Sequence, residues 1–177
     1  MSFKEVDVYS LSFNPSSEIG DLFWLVCAGN ETKKGCMTAS WGQIGSLWGR
    51  KKETKHFGLP TITIFVRPQR FTDSIIKEND YFSICVFSSK YRKELFYLGS
   101  HSFRDEDKLA KVGFHPIYID GTLAVEEASK IYVCKKLYID KLKEEGFVDK
   151  EIPSVDYPNK DFHNVYIGEI VKTYIKE

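Results

Sequence analysis

The segment over residues 60–66 sets the tightest limit on what this chain can fold into. Ile62, Ile64 and Val66 alternate with Thr61, Thr63 and Phe65, which is the period of a strand and not of a helix. Pro68 ends the run. Similar short segments recur. Residues 22–28 are apolar throughout, as expected of a strand covered on both faces. A turn over Gly29-Asn30 and Lys33-Lys34-Gly35 leads into a strand over residues 36–41, and the two predict a hairpin. Residues 81–87, 131–139 and 162–174 read as further strands, the last broken by Gly168 at a bulge.

Helical patterns are short. Thr72-Asp73-Ser74 predicts a capped helix to residue 78, and residues 90–98 a second one, stopped by Gly99. A third runs over residues 105–112 to Gly113, with Asp105, Glu106 and Asp107 suited to its positive end. Residues 1–20 read as a polar lead-in closing on the turn Asn14-Pro15-Ser16-Ser17. Residues 42–59 read as a long loop holding Arg50-Lys51-Lys52, and a loop of that length in a compact domain is usually functional. Residues 117–119 are extended, residues 125–128 and 141–146 helical turns, and residues 153–159 a loop. Six or more strands, mostly antiparallel, predict a mainly β fold: a barrel with a few short helices, in one domain over residues 1–177.

Composition narrows the function. The formal net charge is zero, which counts against a general nucleic-acid binder. Aromatics reach 15% of the chain, an excess that suits strands and planar-ligand sites alike. Cys27, Cys36, Cys85 and Cys134 lie in apolar runs without metal-ligand spacing, so they read as small buried hydrophobes in a reducing cytosol. His56, His101, His115 and His163 are scattered, and no metal site is expected. Nothing resembles a signal peptide or a membrane span, which predicts a cytoplasmic protein with no membrane contact. Dinucleotide-fold glycine patterns, a P-loop and a nucleophile elbow are all missing.

One stretch collects the parts that hold a flat, phosphorylated ring. Arg67 and Arg70 flank a proline at a strand end, and Thr72 follows at a predicted helix start. Guanidinium groups make bidentate bonds to phosphate, and a helix N-terminus adds free amides. Thr38, Ala39 and Ser40 are slender, so backbone amides there can approach a ring edge. Trp41 and Trp48 suit a core, a dimer interface or a ring neighbour equally. Ser100 and Ser102 offer hydroxyls or simply link helices. His163 is either a satisfied surface histidine or the border of an open ring face. Together these features predict an FMN site.

Three groups of motifs then carry a family resemblance. They are Met37-Thr38-Ala39-Ser40-Trp41-Gly42 with Ser46-Leu47-Trp48-Gly49, Arg67-Pro68-Gln69-Arg70-Phe71-Thr72, and Leu98-Gly99-Ser100-His101-Ser102 followed by Arg104 to Leu109 and Asp161 to Ile170. In that order the chain resembles the flavin reductase-like, FMN-binding split-barrel family, nearest its flavoredoxin-type branch, over about residues 5–175. It departs at Gly35-Cys36, where relatives often carry asparagine, at Phe71, often tyrosine, and at Phe103, where similar loops have glycine. The resemblance implies a homodimer with FMN near the subunit boundary. It places Thr38, Ala39, Ser40 and Trp41 along the ring, with Ser46 and Trp48 closing over it. Arg67, Arg70 and Thr72 would hold the phosphate, Ser100 and Ser102 would lie near the ribityl chain or ring, and His163 would border the nicotinamide side. The expected activity is hydride transfer from NADH or NADPH to FMN. Two alternatives are a flavoredoxin-like carrier reduced by a redox partner protein, and a cofactor-free barrel serving dimer contacts.

Overall fold

The computed structural model describes residues 2–49 and 55–177; the expected basic cluster Arg50-Lys51-Lys52 lies outside them. In chain order the elements are β1 (Phe3–Val6), α1 (Pro15–Gly20), β2 (Trp24–Gly29), β3 (Lys34–Ala39), β4 (Gly42–Leu47) and β5 (Leu59–Val66). Then come α2 (Phe71–Glu78), β6 (Tyr81–Val86), α3 (Arg92–Ser100), α4 (Lys108–Lys111), β7 (Pro116–Ile119) and β8 (Thr122–Val125). The chain ends with β9 (Lys130–Lys141), α5 (Glu151–Asp156) and β10 (Asn164–Lys176).

Seven strands follow one another in the hydrogen-bonded order β3-β2-β6-β9-β10-β5-β4. The first half of β10 pairs with β5 and the second half with β1, every pairing antiparallel. The two ends of this path, β3 and β4, are separated in the chain by Ser40 and Trp41 alone. A sheet whose first and last strands meet at a two-residue corner must curl round on itself, and the result is a split β-barrel. Its interior is filled by one face of the strands, including Trp24, Val26, Ile62, Ile64, Phe82, Ile84, Tyr132 and Tyr166, with Ile75 and Ile76 of α2. The opposite face carries Leu25, Cys27, Cys85, Ile131 and Val133 under Leu95 and Leu98 of α3, Leu109 of α4 and Leu123 of β8. That second layer is why β2 is buried at all six positions and reads as an unbroken apolar run. All four cysteines are buried free thiols.

The expected bulge in the last strand falls at Gly168, where the register with β9 shifts. A Cβ there would meet Phe82 Cε1 at 2.7 Å and Cys134 Cβ at 2.9 Å, so the strand passes too close for any other residue.

Other expectations are corrected. Residues 1–20 are not a plain lead-in: β1 extends the sheet, and the Asn14 side chain caps α1 with Pro15 at its first position, the ordinary start signature of a helix. Residues 42–47 form β4 rather than loop, although two glycines and one exposed face hide its period; pairing with β5 overrides weak propensity. Helix α2 starts at Phe71, and no side chain caps it. Thr72 and Asp73 sit inside its first turn, both buried. Gly99 does not stop α3, which runs on through Ser100. Helix α4 starts only at Lys108, capped by Asp107. Val125, expected to start a helical turn, instead closes strand β8, and residues 151–156 are helical because Pro153 falls in a first turn, where its missing N–H costs nothing. Among the described residues no helix is long and apolar enough to cross a membrane.

Candidate functional site

Two cavities meet at the Ser40-Trp41 end of the barrel. One, of about 230 Å³, lies between the start of α2, the end of α3 and the loop before α4. The other, of about 220 Å³, lies against β3 and the corner. Met37, Arg67 and Arg70 line both. Two glycines bring the helices this close to β3. A Cβ on Gly35 would stand 3.2 Å from Thr72 Cα, and one on Gly99 would stand 3.2 Å from Thr38 Cβ.

The first cavity is a cationic cradle. Arg67, Arg70, Arg104 and Lys108 line it with Gln69, Thr72, Ser100, His101 and Ser102, and no carboxylate does so among the described residues. The C-terminal end of α3 presents carbonyls that attract cations. Arg70 donates to Gly99 O at 2.7 Å, and buried Lys108 donates to Leu98 O at 2.6 Å and His101 O at 2.8 Å. Burial lowers the Lys108 pKa from the ordinary lysine value. Arg104 donates to Gln69 O and lies over the Phe71 ring at 5.2 Å. Lys108 lies 5.7 Å from the Phe103 ring. The two aromatic departures from the family pattern thus each seat a cation.

Arg67 is oriented from behind. It pairs with Asp161, donates to Asp156 O at 2.7 Å and lies over the Tyr157 ring at 5.1 Å. Arg67, with Gln69, holds the Asp161 carboxyl below the usual carboxylate range. Those bonds use two of the five guanidinium donors. Ser100 and Ser102 are also engaged: the Ser100 hydroxyl donates toward carbonyls of its own helix, and the Ser102 hydroxyl accepts from Arg104 N.

The second cavity is a slot that is neutral apart from the two arginines it shares. Thr38, Ala39, Ser40, Trp41, Phe65 and His163 line it with the shared residues. Because β3 ends the strand path, alternate backbone groups along its outer edge carry no ladder bond. The Thr38 hydroxyl points away to Leu95 O at 2.5 Å and ties β3 to α3. His163 is buried rather than on the surface, 5.1 Å from the Trp41 ring, with Nδ1 2.7 Å from the Tyr157 hydroxyl. Burial, helped by Arg67, pushes its pKa down to about 4, so the imidazole is neutral at pH 7.

Asp73 ties α2 to β10. Its buried carboxylate accepts from Asn164 Nδ2 at 2.8 Å, Tyr166 OH at 2.6 Å and Lys77 Nζ at 2.7 Å. This fixes the start of α2, which carries Thr72, against the strand that follows His163.

Ten predicted residues therefore come together: Thr38, Ala39, Ser40, Trp41, Arg67, Arg70, Thr72, Ser100, Ser102 and His163. Ser46 and Trp48 do not. Ser46 pairs with Pro60, four positions along β4 from Gly42, roughly 13 Å at strand rise. Trp48 packs on Tyr138 at 6.3 Å. Arg104, Lys108, Gln69 and His101 are cradle residues that the sequence reading did not assign.

The matching family model is the flavin reductase like domain, over residues 57–177, more than half of the chain. The chain belongs to that family. No curated protein sequence matches it. Among solved structures it is similar to an FMN-binding domain of flavin reductases-like enzyme from Shewanella baltica, at 15% identity and TM-score 0.65, covering 98% of this chain and 77% of that one. A flavoredoxin of Desulfovibrio vulgaris is 22% identical with TM-score 0.64, covering 88% and 69%. A Streptomyces globisporus NADH:FAD oxidoreductase, solved with NAD and FAD fragments, is 14% identical with TM-score 0.59, covering 87% and 74%. At these identities the likeness speaks for the flavin reductase-like fold alone.

Proposed function

We propose that this protein binds FMN and passes electrons through it, taking hydride from NADH or NADPH. The observation that carries the reading is a cradle lined by four cationic side chains and no carboxylate, sharing Arg67 and Arg70 with a neutral slot. Arg70, Arg104 and Lys108 would hold the phosphate, with the Thr72 hydroxyl beside them and Arg67 bridging to the ring. The open edge of β3 at Thr38, Ala39 and Ser40 would meet the polar rim of the ring, and Trp41 would flank it. When bound, FMN supplies a ring that accepts a hydride and releases electrons singly or in pairs.

The protein's part is positioning. A neutral His163, braced by Tyr157, would border the nicotinamide side without competing for a proton at pH 7. Ser46 and Trp48 would act across a homodimer. Leu47, Trp48, Tyr138 and Ile139 are all more than two-fifths exposed, and a second copy covering them would bring that surface to a neighbouring site.

A second reading, an electron carrier without nicotinamide oxidation of its own, is favoured by the likeness to flavoredoxin. NADH added to the FMN-loaded protein separates the two. Steady nicotinamide consumption supports the reductase, and flavin that stays oxidised until a redox partner protein is supplied supports the carrier.

A further inference from the structure

A third cavity, of about 420 Å³, lies on the far side of the Ser40-Trp41 corner. It shares Ser40, Trp41 and Phe65 with the neutral slot, so only one layer of side chains divides them. Its walls come from α1, the corner and the connection between β9 and β10. Their chemistry is the reverse of the cradle's. Trp41, Phe65, Phe147 and Tyr157 supply rings, Leu142 and Ile152 supply aliphatic surface, and Asp156 is the one charged lining residue.

We propose that this cavity binds an uncharged, planar, carbonyl-bearing ring compound of the quinone class. Flat aromatic walls select a ring by stacking and burial. The Asp156 carboxylate, with no cation among the lining residues, disfavours phosphates, sulfonates and carboxylates. A second nucleotide is therefore a poor occupant. Ser40 and Gln43 line the corner side and can donate hydrogen bonds to ring carbonyls. Ile152 is 39% exposed on a short surface helix, so it can be changed without opening the core. Arg67 is held by the Asp156 backbone carbonyl and not by its carboxylate, so that side chain can be changed too.

The test measures binding to the flavin-free protein by equilibrium dialysis, with menadione as the uncharged probe and a naphthoquinone sulfonate as the charged one. Menadione should saturate, with the sulfonate at least about tenfold weaker. Ile152→Glu should weaken menadione by at least about tenfold and leave FMN affinity unchanged. Asp156→Asn should narrow the gap between the probes at least threefold. Absence of saturable menadione binding, equal affinity for both probes, or indifference to both substitutions would overturn the proposal. Binding is read without flavin, so menadione binding in a protein that ignores FMN would overturn the flavin reading and support this one.

Discussion

The cradle and the slot share two arginines but are built on opposite plans. In the cradle, charged side chains carry the chemistry, and carbonyls or rings hold each of them: Arg70 on Gly99, Lys108 on Leu98 and His101, Arg104 on Gln69 and Phe71. In the slot, a strand edge and slender residues do the work, and the one titratable ring is held neutral by burial. A dianion needs fixed positive charge at a long reach, which only long side chains braced at their tips provide. A flat ring needs close approach, which only small residues at an unpaired edge allow. A substitution of the buried cradle cation Lys108 should therefore act on affinity and on stability together and one of the exposed Arg70 on affinity alone, whereas those in the slot should act on chemistry first.

The largest effect is expected where cradle and core coincide. Lys108→Met leaves Leu98 and His101 carbonyls without their donor at a buried site, so it should cost about 1.5–3 kcal/mol of stability as well as FMN affinity. Denaturant melts and flavin titration measure the two. Arg70→Ala should cost FMN affinity by a similar amount, about 1.5–3 kcal/mol, with little change in melting, because the side chain is exposed. A large loss of stability in that variant would contradict the split between the buried and the exposed cradle cations.

His163→Asn examines the slot from the other side. It should slow hydride transfer more than it weakens FMN. It should also remove an acid sensitivity. The unfolded imidazole takes up a proton around the ordinary value of 6.5, and the folded one only around about 4. Acidification through that window favours the unfolded chain, so stability due to the neutral ring is present above pH 6.5 and lost as the pH falls toward 4. Thermal melts of wild type and variant should diverge at neutral pH and converge near pH 4. His115, raised by its bond to Glu127, shifts both proteins in the opposite sense and cancels in the difference. The smallest effect is expected from Ser46→Ala. It should leave FMN affinity unchanged in dilute monomer and weaken it only at concentrations where a dimer forms.

The same contrast governs what could be read before folding. Strand β2 was legible because both of its faces are covered. Strand β4 was not, because its glycines and exposed face leave a period too sparse to count, and its partner Leu59–Val66 supplies the order. Arg67 and Arg70 stood out by their spacing around Pro68. Arg104 and Lys108 did not, because Asp105, Glu106 and Asp107 between them read as a solvated helix start; the loop turns those acids away and leaves the two cations on the cavity. No local pattern shows that Asp161 backs Arg67 or that Asp73 braces β10, since each pair is about ninety positions apart. Ser46 and Trp48 followed the family's motif order, and the turn of β4 away from the corner carries them off the site within one chain.

The most direct measurement compares FMN with riboflavin, which carries the same ring without the phosphate, by fluorescence titration of wild type and Arg70→Ala. The account predicts that wild type prefers FMN by at least about tenfold, or about 1.4 kcal/mol, and that the preference collapses in the variant. Equal affinity of wild type for the two flavins would contradict it.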